Sequence, residues 1–142
     1  MFIASLKEGT FKGIKTTLML AKIIIPIHIV VSILKSTPLL DKLSLYFEPF
    51  MGLFNLPGEA ALALVLGNFV NLYAAIGIIT GLHLSAFEIT TLGLMLSISH
   101  SLIVETAIIK SVGAKALSVL FIRISLSIAL GLLFGNLCGG LF

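Results

Sequence analysis

Charged residues are scarce in this chain of 142 residues. Only 11% are Asp, Glu, Lys or Arg, whereas 58% are hydrophobic, and the mean hydropathy is +1.21. Soluble domains carry about 25% charged residues, so this composition excludes a soluble globular domain and predicts an integral membrane protein. Because one crossing takes about 20 residues, the chain has room for about four to five spanning or half-spanning helices in one membrane domain.

The sequence also has few of the residues from which catalytic, metal and nucleic-acid sites are built. Its single cysteine, Cys138, excludes an intrachain disulfide and a cysteine-based metal cage. The three histidines are isolated, and no Gly-x-Ser-x-Gly, Walker loop or close pair of carboxylates occurs. The nine Lys and Arg form no basic cluster. We therefore expect no enzyme, no bound metal or cofactor, and no nucleic-acid partner.

The most informative segment is an interrupted apolar run, Leu56–Gly81. It contains three residues that favour a helix break and three with polar side chains: Pro57, Gly58, Gly67, Glu59, Asn68 and Asn71. Hydrocarbon cannot satisfy freed backbone groups or amides, so such interruptions occur where protein or a water-filled cavity surrounds them. The run predicts one broken span, or a re-entrant hairpin followed by the start of a span.

The polar side chains of this run have two interpretations. Asn68 and Asn71 are three residues apart and so share a helix face, where they would bind a polar solute or a cation. Alternatively, they bond neighbouring helices. Glu59 lies in the first turn after the break, where a helix N-terminus favours a carboxylate, so it either supports the site or only caps the helix.

A second polar group lies in the later segment Ser97–Glu105. Ser97, Ser101 and Glu105 are four residues apart and form one stripe, whereas His100 is rotated by about 140° from Glu105 at roughly 100° per residue. Glu105 would bind a cation, a proton or a solute hydroxyl, or would pair with Lys110. His100 would donate to a bound base or anion, or would bond a backbone carbonyl. Neither residue needs to touch the other.

The last predicted span contains one arginine and a stripe of small residues. Arg123 is a candidate ion-pair partner for Glu59 or Glu105. Glycines recur every four residues after it, so another backbone can approach closely along this stripe, which consists of Gly131, Gly135 and Gly139. We interpret the stripe as a surface for helix packing.

The predicted elements cover the whole chain as a single domain, 1–142. They are an amphipathic segment 1–15, a first span 16–34, an interfacial helix 38–55 broken near Pro49, the broken or re-entrant run 56–84, and spans 88–109 and 116–142. Lys110 and Lys115 are expected on the same side as Lys35 and Lys42. The lysines are then balanced across the membrane, which leaves the orientation open and is compatible with dual topology.

Three pieces of sequence resemble the nucleoside-recognition or Gate family. They are Leu56-Pro57-Gly58-Glu59, the stretch Gly67-Asn68 to Asn71, and His100-Ser101 to Glu105, within a likeness over roughly residues 12–115. The family includes the spore maturation proteins A and B and is similar to segments of the ferrous-iron transporter B. The resemblance implies a gate helix after Pro57, with Asn68, Asn71, His100 and Glu105 facing a pathway, in a prokaryotic cytoplasmic (inner) membrane.

The sequence and the resemblance together predict an all-α, multi-pass membrane protein that forms one half of an inverted-repeat dimer. Its partners would be the lipid bilayer and either a second copy, in antiparallel orientation, or a homologous Gate subunit. The predicted activity is transport of a small polar solute through a midplane site in which Ser101 joins the residues already named. The alternatives are a membrane scaffold that assembles another complex and a conduit for metal ions.

Overall fold

The computed structural model describes residues 2–139, and within these residues the fold is all-helical, as predicted. Residue 1 of the predicted segment 1–15 and residues 140–142 of the predicted span 116–142 lie outside the described residues. The helices are α1 Phe2–Lys35, α2 Pro38–Met51, α3 Ala61–Phe69, α4 Leu72–Gly81, α5 Ala86–Ser99, α6 Leu102–Ser111 and α7 Ala116–Cys138, with 3-10 turns at Gly52–Phe54 and Gly58–Ala60.

Three stretches in the described part of the chain are long and apolar enough to cross a membrane. They are Ser5–Leu34 in α1, Ala86–Ser111 in α5 and α6, and Ala116–Cys138 in α7. A bent pair, Pro38–Phe54 with Gly58–Phe69, reaches the same length only across a 90° bend. The fold therefore has three candidate crossings, or four if the bent pair is one span, and the sequence predicts four to five spanning or half-spanning helices.

The first helix is continuous, although the sequence predicts a separate surface segment followed by a span. α1 contains 34 residues, which is about 51 Å at roughly 1.5 Å per residue, well over the roughly 30 Å of hydrocarbon. Pro26 lies inside the helix without ending it, as is common for proline in membrane helices. Residues 5–19 are all exposed, so this half of α1 extends away from the rest of the domain.

The second helix lies at a right angle to the segment that follows it. α2 starts after Thr37 with Pro38 in its first turn, a position where proline loses no helical hydrogen bond. It continues past Pro49 to Met51, two residues beyond the predicted break. The 3-10 turn Gly52–Phe54 follows α2 and ends at Asn55, whose φ of 54° is left-handed. The 90° bend between α2 and α3 means that the two helices do not share one direction, and the interfacial position of α2 stays a prediction.

α3 and α4 form a helical hairpin, the second of the two structures predicted for the interrupted run. Gly67 of α3 faces α4, since a Cβ there would lie 3.0 Å from the Cβ of Ala75. α4 then packs along α1 in the same direction, with Gly77 against Ile27 and Gly81 against Val31. The two arms contain 9 and 10 residues, about 15 Å each, so each reaches only about halfway through a bilayer.

α5 is the central helix of the fold, and its long span is broken. A capping box between Ser85 and Glu88 starts the helix, and its residues Leu92, Met95 and Leu96 form the middle of the buried core. The sequence predicts a span at 88–109, and Ala86–Ser111 is a candidate span. Within it, α5 ends at Ser99, and α6 starts at Leu102 after the two residues His100 and Ser101.

The glycine stripe of α7 packs inside the chain itself. A Cβ on Gly131 would lie 2.9 Å from a ring carbon of Phe54, and Gly135 meets the backbone of the same residue. Asn55 donates a hydrogen bond of 2.7 Å from its side-chain nitrogen to the carbonyl of Gly135. The α7 backbone therefore approaches the turn before the hairpin at a distance that only glycine permits.

Candidate functional site

The tip of the hairpin meets the break between α5 and α6. The backbone N–H of Ser101 donates a hydrogen bond of 2.8 Å to the carbonyl of Gly67. Beside it, Gly67 packs directly against the side chain of Leu96. The carbonyl of Gly67 in the hairpin thus accepts a hydrogen bond from the N–H of Ser101, which lies at the break between α5 and α6. Apolar surroundings require that such backbone groups be paired within the protein.

This junction lies inside the membrane-spanning region. α5 contains 14 residues and α6 contains 10, so the break is about 21 Å from one end of the span and about 15 Å from the other. Ser101 has a φ of 51°, a left-handed conformation that few residues other than glycine adopt. Two non-helical turns therefore meet at a depth where only protein groups or enclosed water can bond their backbone N–H and C=O groups.

The two predicted asparagine ligands have different roles in this conformation. The sequence places Asn68 and Asn71 on one helix face, but α3 ends between them, and Asn71 is the N-cap of α4. The side-chain oxygen of Asn71 accepts a hydrogen bond of 2.8 Å from the N–H of Ala74. This prediction of a shared face was wrong, because the chain reverses direction at Val70.

Asn68 keeps an unused acceptor. Its side-chain nitrogen donates a hydrogen bond of 2.7 Å to the carbonyl of Leu64. Its side-chain oxygen is buried and accepts no hydrogen bond from any residue between 2 and 139. Since more than nine in ten buried polar groups in proteins are paired, this oxygen is an exception that leaves one acceptor unused.

Glu105, His100 and Arg123 form an ionic cluster at the break. The carboxylate of Glu105 pairs with the guanidinium of Arg123, and its other oxygen lies 3.4 Å from Nε2 of His100. The prediction that His100 and Glu105 need not meet assumes a continuous helix. The break turns His100 out of the helical register, and this rotation brings the two side chains together.

Arg123 also binds the end of α5. It donates hydrogen bonds of 2.7 Å to the carbonyl of Ile98 and 3.3 Å to that of His100. These carbonyls lie at the negative end of the helix dipole, which favours a cation. Arg123 is absent from the predicted site residues, although the sequence marks it as a candidate partner for Glu105. The sequence signal is that Arg123 is the sole arginine and lies in an apolar span.

A cleft of about 350 Å³ adjoins the junction between α3, α5, α6 and α7. Its walls are mostly apolar, with Phe54, Phe69 and Met95 among them, and Asn68 lies in its lining. The hydroxyls of Ser99 and Ser127 complete its polar side, and they are hydrogen-bonded to each other at 3.0 Å. The volume and the few polar groups match the sites that bind small organic molecules.

The residues predicted to support the break lie away from this junction. Pro57, Gly58 and Glu59 are at the mouth of the hairpin, where Gly58 packs against the backbone of Ser44. Glu59 is half-buried, and its side chain makes no hydrogen bond or ion pair within residues 2–139. The hairpin arm of 3-10 turn and helix separates it from the tip, so this structure does not bring Glu59 together with Asn68 or Glu105.

The long apolar helices, with the α3–α4 hairpin packed against a broken span, are those of an integral membrane protein. Residues 17–139 match the model of the Gate family, described as nucleoside recognition, and the chain belongs to that family. It is similar to an uncharacterized membrane protein, YvoD, of Bacillus subtilis (strain 168), with 44% identity over 119 residues. The match covers 84% of this chain and 38% of that relative. No solved structure matches the chain.

Proposed function

We propose that this chain is one half of a pathway that carries a small, uncharged polar solute across the membrane. The observation that supports this most directly is the hydrogen bond between Ser101 and Gly67, which joins the hairpin tip to the broken span in the membrane interior. Discontinuous helices that meet near mid-membrane are typical of secondary transporters, whose substrates bind at the broken ends.

The charges at the junction favour a neutral solute. The carboxylate of Glu105 is neutralised by the guanidinium of Arg123, which is only 18% exposed. A fixed positive charge so close to the carboxylate opposes the entry of a metal cation, because like charges repel strongly in a low-dielectric surrounding. The free acceptor on Asn68 instead suits a donor group of a polar molecule. The hydroxyls of Ser99 and Ser127 already donate within the chain and have only acceptor capacity left.

A second Gate-type unit would complete this site. The cleft is only partly enclosed by this chain, so a facing unit can supply further walls. The chain spans only 38% of the length of its relative in Bacillus subtilis, so that protein has room for more than one such unit. Nucleosides are the first solutes to test, because they are uncharged, polar and named in the family description.

Ligand-dependent thermal stability of the purified chain tests the proposal. A solute that binds only the native state raises its stability, so uridine or adenosine should stabilise the protein, and Asn68→Leu should abolish the effect. Asn136→Leu is the matched control, since both amides bond the carbonyl four residues earlier. A stabilising solute is then tested for uptake into proteoliposomes. Equal stabilisation of the wild type and Asn68→Leu would refute the site.

A scaffold role is the second candidate, and one feature favours it. The half of α1 comprising residues 5–19 is exposed and carries large apolar side chains, including Phe11, Ile14 and Leu18. Such a surface is suited to docking another membrane protein. If no nucleoside or amino acid stabilises the chain while a partner protein remains bound through purification, the scaffold interpretation replaces transport. Stabilisation by Mg²⁺ or Fe²⁺ that is lost in Glu105→Gln would indicate a metal conduit instead.

A further inference from the structure

The order of the helices assigns every lysine except Lys22 to one face of the membrane. The membrane is crossed by α1, by the broken span α5–α6 and by α7. The α3–α4 hairpin instead returns to the face that it enters, since α4 runs parallel to the second half of α1. The N-terminal end of α1 and the turn 112–115 therefore share one face, which we name the lysine face. The C-terminal end of α1, α2, the hairpin mouth and the start of α5 share the other, the hairpin face.

The lysines are strongly unequal between these faces. The lysine face carries five of them, and these are Lys7, Lys12, Lys15, Lys110 and Lys115. The hairpin face carries two, Lys35 and Lys42. The other two basic residues, Lys22 and Arg123, lie within the spans. Lysines and arginines near the ends of spans set orientation, and the richer face stays in the cytoplasm.

The number of lysines on each face depends on whether the run Leu56–Gly81 crosses the membrane or returns. If the run Leu56–Gly81 crossed the membrane, Lys110 and Lys115 would join Lys35 and Lys42, and the count would be three against four. Because the run is re-entrant, these two lysines instead add to the three of the N-terminal half of α1. A re-entrant run would therefore place them opposite Lys35 and Lys42 and not on the same side.

We infer that the chain inserts in one orientation, with its lysine face in the cytoplasm and its hairpin mouth on the opposite side. An inverted unit that completes the site must then have the reverse lysine bias, so it is a homologous Gate-type unit of different sequence and not a second copy of this chain. The inference about the partner unit rests on the proposed function, whereas the inference about orientation does not.

Cysteine accessibility tests the orientation. In a Cys138→Ser background, His83→Cys lies in the exposed turn of the hairpin face, and Ala114→Cys lies in the exposed turn of the lysine face. Bacterial spheroplasts that express each full chain are treated with a membrane-impermeant maleimide. His83→Cys should be labelled in intact spheroplasts, and Ala114→Cys only after permeabilisation. The reverse pattern would overturn the assignment.

Comparable labelling of both cysteines in intact spheroplasts would also overturn it, because an antiparallel pair of identical chains requires both orientations. The charge argument has its own test. Lys110→Gln with Lys115→Gln reduces the bias from five against two to three against two, so part of the Ala114→Cys population should become labelled from outside. The control, Lys35→Gln with Lys42→Gln, should change nothing. If both pairs leave the labelling unchanged, the lysines do not set the orientation.

These readouts need no solute. A failure to detect nucleoside binding would leave the orientation result standing, and an overturned orientation would leave a measured solute affinity standing. The two proposals are therefore refuted by different observations.

Discussion

Replacing Arg123 by glutamine should destabilise the junction between α5 and α6 more than any exposed substitution on α7. The guanidinium makes three contacts there, an ion pair with Glu105 and hydrogen bonds to the carbonyls of Ile98 and His100. Glutamine is too short and uncharged to replace all three. The substitution leaves a carboxylate without its cation and the end of α5 with fewer donors.

The burial of the pair sets the magnitude. Removing one partner of a buried ion pair costs about 3–5 kcal/mol, whereas an exposed pair contributes about 0–1 kcal/mol. The side chains of Arg123 and Glu105 are 18% and 33% exposed, which lies between these limits. We therefore expect Arg123→Gln to lower the free energy of unfolding by about 2–3 kcal/mol.

The assay is reversible unfolding in mixed micelles of a mild detergent and sodium dodecyl sulfate, followed by helical circular dichroism. Adding Glu105→Gln to Arg123→Gln removes the unpaired carboxylate, so the double variant should recover about 1 kcal/mol relative to additivity. Ser125→Ala, on the exposed side of α7, is the control and should change stability by less than about 0.5 kcal/mol. Strict additivity, or a loss for Arg123→Gln no larger than the control, would refute the role assigned to this cluster.

Three further predictions use the same unfolding assay. Gly67→Leu should lower the free energy of unfolding by about 1–3 kcal/mol, because it overpacks the hairpin tip. Gly93→Ala should raise it by up to about 1 kcal/mol, because a Cβ there meets open space. Equal effects of the two variants would contradict the close approach at Gly67. Asn71→Ala should cost about 1 kcal/mol through loss of the α4 cap, and Asn71→Ser should restore most of it. Asn55→Ala should cost about 2 kcal/mol from left-handed strain and a lost hydrogen bond. Asn55→Gly should cost less, and the reverse order would contradict the turn.

Several features of the site could be predicted from local sequence. The polar interruptions at Asn68 and in the segment Ser97–Glu105 identify where the two broken helices meet, because apolar surroundings tolerate such groups only at protein-lined positions. The start of α5 also has a local signal, the capping-box pattern from Ser85 to Glu88. Without it, the predicted span begins two residues late, at 88.

Other features depend on residues far apart in sequence. No proline or glycine marks the break at His100 and Ser101, since it is stabilised by the carbonyl of Gly67 and by Arg123 of α7. Helical spacing alone separates His100 from Glu105, and only the break brings them together. The role of Asn71 changes for the same reason, because a chain reversal at Val70 makes it a cap.

The sequence by itself determined that this is an all-helical membrane protein of the Gate family with an interrupted run at Leu56–Gly81. Composition and hydrogen-bonding requirements act residue by residue, so they can be assessed without coordinates. Only the tertiary structure decided that the run is a hairpin and that Arg123 pairs with Glu105. Each of these depends on contacts across tens of residues, because a re-entrant arm and a crossing helix have the same local composition but place all later residues on opposite sides of the membrane.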